Sequence, residues 1–447
     1  MQPARRSHIA VADFQQLQGI WRSQGYGKLL LVDQERYTLF EETAISCQKV
    51  YAGNLDELAE YYDDLRISPA GQTFSAHRAT GVTRIGFRRL KALPRTVART
   101  RDHNPQDPEY NFEVFWRTFA EQYALFGLKG VDWNQTYQTY RPRIHAGSSR
   151  ETLFATLAAM IRPLKDGHVR LHTPWGHFNA GALPALYRRL ERELEEANDA
   201  RELGRYLGDL QEWSQDLIHG DYLAGKGRQA GNRLVDWGWL NESTGYLGIR
   251  AMAGQSGQIG HPGQDVTATD RVMQKVLGDL GACPNLVVDI RGNGGGYDAV
   301  ALRFAGYLLD RKRLAFTKCA RRGTGYTGKQ AVHVMPAREG TYQGNLFVLT
   351  SELTASAAEI FVLALLQRPN LTLVGEPTQG ILSDTLERHM PNGWHLTLSN
   401  EIYEAYSGEL YEDVGIPPHV RMPYLSRKGR EADQDRMLER VLRWHSA

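Results

Sequence analysis

No stretch of this chain approaches the roughly 18 consecutive apolar residues that cross a bilayer as a helix, so no membrane span is expected. Cysteine is scarce, with only Cys47, Cys283 and Cys319 in 447 residues. Three thiols cannot all pair and these have no metal-ligand spacing, which argues against a disulfide framework and a cysteine-held zinc. Charge of one sign is missing too: 53 basic residues face 51 acidic ones for a net charge of +2. That balance gives no reason to expect a nucleic-acid partner. The glycine turn at Gly292 to Gly296 has neither the GxGxxG spacing nor the lysine and Ser/Thr of a P-loop, which makes a nucleotide-phosphate loop a weak reading of it. The N-terminal MQPARRSHIAVADF has basic residues but no apolar core of a signal peptide. The chain as written therefore reads as cytoplasmic; one that had lost an export signal would read the same and would be periplasmic or exported. Finally, no lysine stands between Lys329 and Lys428, which matters once a catalytic base is sought.

What is present is organised around residues 345–380, NLFVLTSELTASAAEIFVLALLQRPNLTLVGEPTQG. A strand-length apolar run, Leu346 to Leu349, passes through Thr354-Ala355-Ser356-Ala357-Ala358-Glu359 into an apolar helix ending near Leu366, and a second run follows at Leu371 to Val374. A serine set among small residues at a helix start has an uncrowded hydroxyl, and the free N–H groups of the first turn face whatever it attacks. Such a serine is also what an ordinary N-cap looks like. A second stretch weighs against that reading. In LVVDIRGNGGG, a buried-looking strand from Leu286 runs into Gly294-Gly295-Gly296, and a helical pattern begins at Tyr297. Glycines let a backbone approach a ligand closely and aim N–H groups at an anion. An exposed serine on one strand-to-helix turn and free N–H groups on another are the parts of an acyl-transfer site.

The 42% hydrophobic and 23% charged content is that of a globular protein, and the length allows about two to four domains. Residues 8–95 carry short alternating runs with Gly and Asp turns, including Lys28 to Val32, Tyr37 to Phe40 and Val82 to Phe87. They predict a β-rich domain, and Gly19-Ile20-Trp21 is similar to the opening of lipocalin-type barrels. A hydrophobic ligand or a docking role would each suit such a barrel. VARTRDHNPQDPE, residues 97–109, reads as a linker. Residues 110–235 predict a helical domain. Phe112, Phe115, Trp116, Phe119, Tyr123 and Phe126 make a core stripe, and Ser148 with Glu151 makes a capping box for the next helix. The turn Lys165-Asp166-Gly167-His168 follows, then a charged helical segment from Leu183 to Ile218. Residues 236–447 complete the chain as an α/β domain.

The ordered set DIRGNGGG, LTASAAEIF, VGEPTQG and YEDVGIPP resembles the catalytic domain of the S41 serine peptidases, the C-terminal processing or tail-specific proteases. NFEVFWRTFAEQYALFGLKGVDW and LKDGHVRL resemble the helical domain that precedes it in the tricorn-like branch. The resemblance implies a crotonase-like (ββα) catalytic domain, a peptide or unfolded-protein substrate, possible homo-oligomers, and no metal or organic cofactor. Where the lysine-dependent branch has its base, this chain has Ile381; the tricorn-like branch uses a distant histidine oriented by a glutamate. The resemblance thus implies Ser356 as nucleophile, His168 as base and Glu412 as its orienting acid, with the N–H groups of Gly295 and Ala357 as oxyanion donors. His389, His395 and His419 lie nearer Ser356 in sequence and compete for the base. The set of strands and the loop of a PDZ domain are missing, which leaves tail recognition without its usual module. Two other classes stay open at this stage: a non-catalytic hydrophobic-ligand or peptide-binding protein on the same fold, and crotonase-type acyl-CoA chemistry.

Overall fold

The computed structural model describes residues 14–444 apart from 79, 80 and 259; positions 8–13 of the expected N-terminal domain lie outside the described residues. Compactness divides the chain into two units, one made of residues up to 182 with 318–330 and 383–403, the other of the remainder.

In the first unit seven antiparallel strands run in the spatial order β4-β3-β2-β1-β7-β6-β5: β1 Gly19–Ser23, β2 Lys28–Asp33, β3 Arg36–Glu42, β4 Cys47–Asn54, β5 Tyr62–Ile67, β6 Thr73–Arg78 and β7 Arg84–Leu90. Their alternation is what the sequence predicts for strands with one face inward. Trp21, Leu30, Tyr37, Phe74 and Phe87 point into one cluster, with Trp21 edge-on to Phe74 at 4.8 Å and Phe74 stacked on Phe87 at 4.5 Å. The same cluster takes in Phe112, Phe115 and Phe119 of helix Pro108–Gln122. The N-terminal sheet and the aromatic stripe therefore share one core.

Two local expectations are corrected. The supposed linker begins with a helix, Arg95–Asp102, because Val97 packs with Leu29, Phe40 and Cys47 against the other face of the sheet. The cap of helix Arg150–Ile161 is Ser149, whose side chain accepts from Thr152 N–H, while Ser148 Oγ accepts from His145 N–H instead. A four-stranded antiparallel sheet closes the unit, in the order Thr385–His389, His395–Ser399, Arg170–Thr173, Gly176–Asn179. Leu171, Leu386, Leu396 and Leu398 bury one of its faces in the common cluster.

The second unit is built on another seven-stranded sheet, Arg228–Ala230, Val235–Asn241, Thr244–Ile249, Asn285–Asp289, Asn345–Thr350, Leu371–Gly375 and Val420–Arg421. From Thr244–Ile249 onward neighbouring strands are parallel, which requires crossovers. Helices Pro262–Leu280, Asp298–Gly306 and Ala357–Leu365 lie in the connections. Strands buried on both faces read as continuous apolar runs rather than alternating ones, and Asn285–Asp289 is buried at all five positions. The charged segment after Leu183 forms helices Ala185–Glu196 and Leu203–Leu217, whose Leu186, Leu190, Leu207 and Leu210 pack with Val287, Phe347 and Val374 of the sheet. A three-part division at 8–95, 110–235 and 236–447 separates these helices from the sheet they cover; their leucines place them with it.

At the end of Asn285–Asp289 the Arg291 guanidinium is 2% exposed and grips Asp289 at 2.6 and 2.9 Å and Asp435 at 3.0 Å. Tyr246 O–H donates to Asp289 at 3.0 Å. Burial by itself would raise the Asp289 carboxyl, but Arg291 overrides it and holds the group down at about 2. Its contribution to stability is therefore complete above the ordinary carboxylate range and is lost as pH falls toward 2. Asp289→Asn leaves a buried guanidinium short of a partner and is expected to destabilise the protein by about 3–5 kcal/mol. Denaturant unfolding of the two proteins at neutral pH measures this, and the gap closes in acid.

Candidate active site

Pairing Asp289 with Leu349 puts the C-terminal ends of two parallel strands side by side. Loops at such strand ends are where parallel sheets collect their functional groups. The two loops are sewn together by hydroxyls: Ser351 Oγ donates to the Arg291 carbonyl at 2.5 Å and Thr354 Oγ1 to the Ile290 carbonyl at 2.9 Å. Asn293, fully buried, donates through Nδ2 to the Ile249 carbonyl, and its own carbonyl accepts from Ala355 N–H at 3.1 Å.

This brings the glycine turn onto the serine. Ser356 stands just before helix Ala357–Leu365 with φ +56° and ψ −125°, outside the ordinary regions for an L-residue. A non-glycine residue held there carries local strain of the kind that sets a nucleophile on a sharp strand-to-helix turn. Gly295 has φ +103°, and a Cβ on it would lie 2.7 Å from Ser356 Cβ and 3.0 Å from Ala357 N. Only glycine fits. Gly295 N–H donates to Asn293 Oδ1 at 2.9 Å. Ala357 N–H is in the first turn of its helix, where no intrahelical acceptor exists.

The strain is held by a residue that the sequence reading passed over. Glu359 is fully buried, and its carboxylate accepts from Ser356 N–H at 3.0 Å, Thr378 Oγ1 at 2.6 Å, Gly380 N–H at 2.7 Å and Ile381 N–H at 2.9 Å. Burial pushes its carboxyl up to about 7, against the pull of those four donors. The signal was available: a glutamate three residues after a serine is the second half of a capping box. The 378–382 turn that Glu359 fixes also carries Glu412. That side chain is 3% exposed and accepts from Leu382 N–H at 2.9 Å. Asp413 N–H donates to the Gly380 carbonyl at 2.8 Å and Ile416 N–H to Thr378 Oγ1 at 2.7 Å. Ser356, Gly295, Ala357 and Glu412 thus belong to one continuous hydrogen-bonded construction in the second unit.

His168 belongs to the first unit, at the turn after helix Arg150–Ile161. The turn is pinned by Asp166, fully buried, which accepts from His168 N–H at 2.9 Å and from Tyr123 O–H at 3.0 Å. Thr397 Oγ1 donates to the His168 carbonyl at 2.6 Å. The ring is 8% exposed, one edge meets the Ser383 backbone, and Nδ1 has no hydrogen-bond partner among the described residues. Burial lowers its pKa from the ordinary histidine value, the nearby Asp166 and Asp384 offsetting part of the effect.

Two of the three competing histidines are otherwise engaged. His419 Nδ1 accepts from Leu373 N–H at 2.8 Å, and His389 Nδ1 lies 3.3 Å from Glu41. Lys318, a buried lysine, is bound by Glu401 at 3.2 Å, Tyr403 and Thr83. Among the described residues no group of three or more His, Cys, Asp or Glu side chains is placed to hold a metal ion.

Comparison with known proteins matches two segments of the chain. The sequence profile of peptidase family S41 matches residues 243–422, and that of the tricorn protease C1 domain matches residues 104–162. Among solved structures, a protein assigned as a peptidase from Parabacteroides merdae ATCC 43184 superposes with a TM-score of 0.60 at 21% identity, over 76% of this chain and 99% of that one. Mature CPAF complexed with lactacystin superposes with a TM-score of 0.52 at 12% identity, over 75% of this chain and 97% of that one. At those identities the superpositions establish a shared fold.

Gly295→Ala tests the close approach. Its methyl must displace the Ser356 turn, and a misplacement of about 1 Å costs a reacting group on the order of 10²-fold. Labelling of Ser356 by a fluorophosphonate should slow by about that factor while the circular dichroism spectrum stays that of the parent.

Proposed function

The chain carries a peptidase family S41 domain at residues 243–422 and is a serine-type peptidase, and from that premise we propose that Ser356 is its nucleophile, His168 its general base and Glu412 the acid that orients the base. The observation that carries the proposal is the strained Ser356 turn, with the glycine turn in van der Waals contact and the first N–H groups of a buried helix behind it. Serine's hydroxyl needs a base within reach. Lysine is missing from the segment where the related lysine-dependent enzymes have theirs, and histidine titrates in the useful range.

In the proposed reaction Ser356 Oγ attacks the carbonyl of a peptide bond and His168 takes its proton. The tetrahedral oxyanion is met by the N–H groups of Ala357 and Gly295, each lowering the barrier by about 3 kcal/mol. For Gly295 this requires the bond to Asn293 Oδ1 to be shared or exchanged. His168 then delivers the proton to the leaving amine, and water, activated by the same imidazole, releases the acyl group. The substrate class is a peptide or an unfolded segment. The finer fold assignments form part of the same proposal: the parallel sheet with its helices as a crotonase-like core, and the N-terminal meander as a lipocalin-like barrel with a docking role.

Ser356→Ala should abolish peptide hydrolysis and fluorophosphonate labelling with no change in thermal unfolding; full hydrolysis by that variant refutes the assignment. His168→Ala should cost about 10²–10⁴-fold in kcat/KM, and no substitution of His389, His395 or His419 should cost as much. The base must be neutral to act, so activity falls as pH drops through the His168 pKa. Because burial lowers that value, the acidic limb of the kcat/KM profile should lie below about 6.5, and a limb above it would point to another base.

A further inference from the structure

The turn between β1 and β2 is Gln24-Gly25-Tyr26-Gly27, and its last three residues all have positive φ, at +79°, +62° and +50°. Ser23 Oγ closes the turn, accepting from Lys28 N–H at 2.8 Å and donating to the Gly25 carbonyl at 2.6 Å. The amides of Gly25, Tyr26 and Gly27 have no acceptor among the described residues. A Cβ on Gly27 would lie 2.7 Å from the Glu42 carbonyl, so only glycine lets the backbone sit in this wall. All three residues line a cavity of about 420 Å³, within the size range of small-ligand sites. The cavity is built from the first unit alone. Three arginines share its lining with the turn: Arg22, Arg321 and Arg322. The Arg22 guanidinium is held by Glu42 at 2.7 and 2.8 Å. Arg321 lies over the Tyr326 ring at 5.5 Å, with its Nε buried and without a hydrogen-bond partner. Neither Arg321 nor Arg322 has a carboxylate partner among the described residues.

Successive amides of a tight turn and guanidinium groups are two donor types that proteins turn toward oxyanions. We propose that this cavity binds a small organic monocarboxylate, whose oxygens are taken by the amides of Gly25, Tyr26 and Gly27 and by the Arg321 and Arg322 guanidinium groups. Charge decides between a carboxylate and a phosphate. The lining holds three arginines against two acids, Glu42 and Glu121, which leaves one positive charge in excess. A single negative charge balances that excess, and a phosphate dianion overshoots it. Glu121 is held by Ala44 N–H at 3.0 and 3.2 Å, and burial raises its carboxyl above the usual carboxylate range, which weakens its repulsion of an anion. Ala44 and Pro94 add apolar surface for the body of the ligand. None of the serine machinery takes part, so this site holds or fails independently of the peptidase chemistry.

The test is equilibrium binding by the full-length protein, not activity. Hippurate, a carboxylate on a small aromatic body, is titrated calorimetrically, with its neutral counterpart hippuramide and inorganic phosphate as controls. One equivalent of hippurate should bind with low-millimolar affinity or better and raise the melting temperature. Hippuramide should bind at least tenfold more weakly, and phosphate no more tightly than hippurate. The double variant Arg321→Gln/Arg322→Gln should lose at least tenfold in hippurate affinity while melting like the parent without ligand. Glu121→Gln removes a negative charge from the lining and should tighten binding. Absence of a stoichiometric hippurate site, equal binding of hippuramide, or tighter binding of phosphate overturns the proposal. So does unchanged affinity in the arginine variant or weaker binding by Glu121→Gln.

Discussion

The buried carboxylate of Glu359 is the group on which the serine site depends. A fully buried acid needs donors, and this one has four: the Ser356 backbone, the Thr378 hydroxyl and two amides of the following turn. Each bond fixes a different piece of chain. The first keeps Ser356 at a positive φ that its side chain disfavours; the others lock the 378–382 segment against the start of the same helix. Removing an acceptor shared by so many donors would leave several of them buried and unsatisfied, a larger loss than any one bond.

A second set of contacts explains why the glycine turn meets the serine at all. Parallel pairing of two strands aligns their ends, and side-chain hydroxyls and Asn293 then convert proximity into fixed register. The DIRGN motif has a divided role. Asp289 and Arg291 are a buried ion network tied to Asp435 near the C-terminus, and their part is to hold the loop. Gly295, two residues beyond the motif, lies so close to Ser356 that a Cβ on it would come within 2.7 Å of the serine's Cβ. The charges hold the loop, and the missing side chain lets it meet the serine turn.

The first unit follows the same economy of parts. Asp166 binds a tyrosine and the backbone of His168 together, so the turn that presents the imidazole is set by a buried acid, as the serine turn is. Around it, leucines turned inward and histidines turned outward alternate along the closing sheet. The period of two that buries the core also gathers the histidines into a row.

Much of this could be read from the chain alone. Strand-length apolar runs at 286–290, 346–349 and 371–374 became strands of the parallel sheet, because strands buried on both faces must be apolar throughout. The aromatic stripe from Phe112 became core, and the small residues around Ser356 marked the turn. Sequence also decided that lysine is missing where the related enzymes use it. Tertiary structure decided what depends on distant partners. Val97 turned a polar stretch into a helix by finding the back of a sheet, and the leucines after Leu183 joined the parallel sheet rather than the helices before them. Glu359 became the centre of a hydrogen-bond network only once the 378–382 turn arrived beside it, and four histidines scattered between positions 172 and 395 became neighbours only through strand register. Local pattern fixes which way a side chain faces; which groups it meets is set by pairings between segments far apart in sequence, and no local signal encodes those.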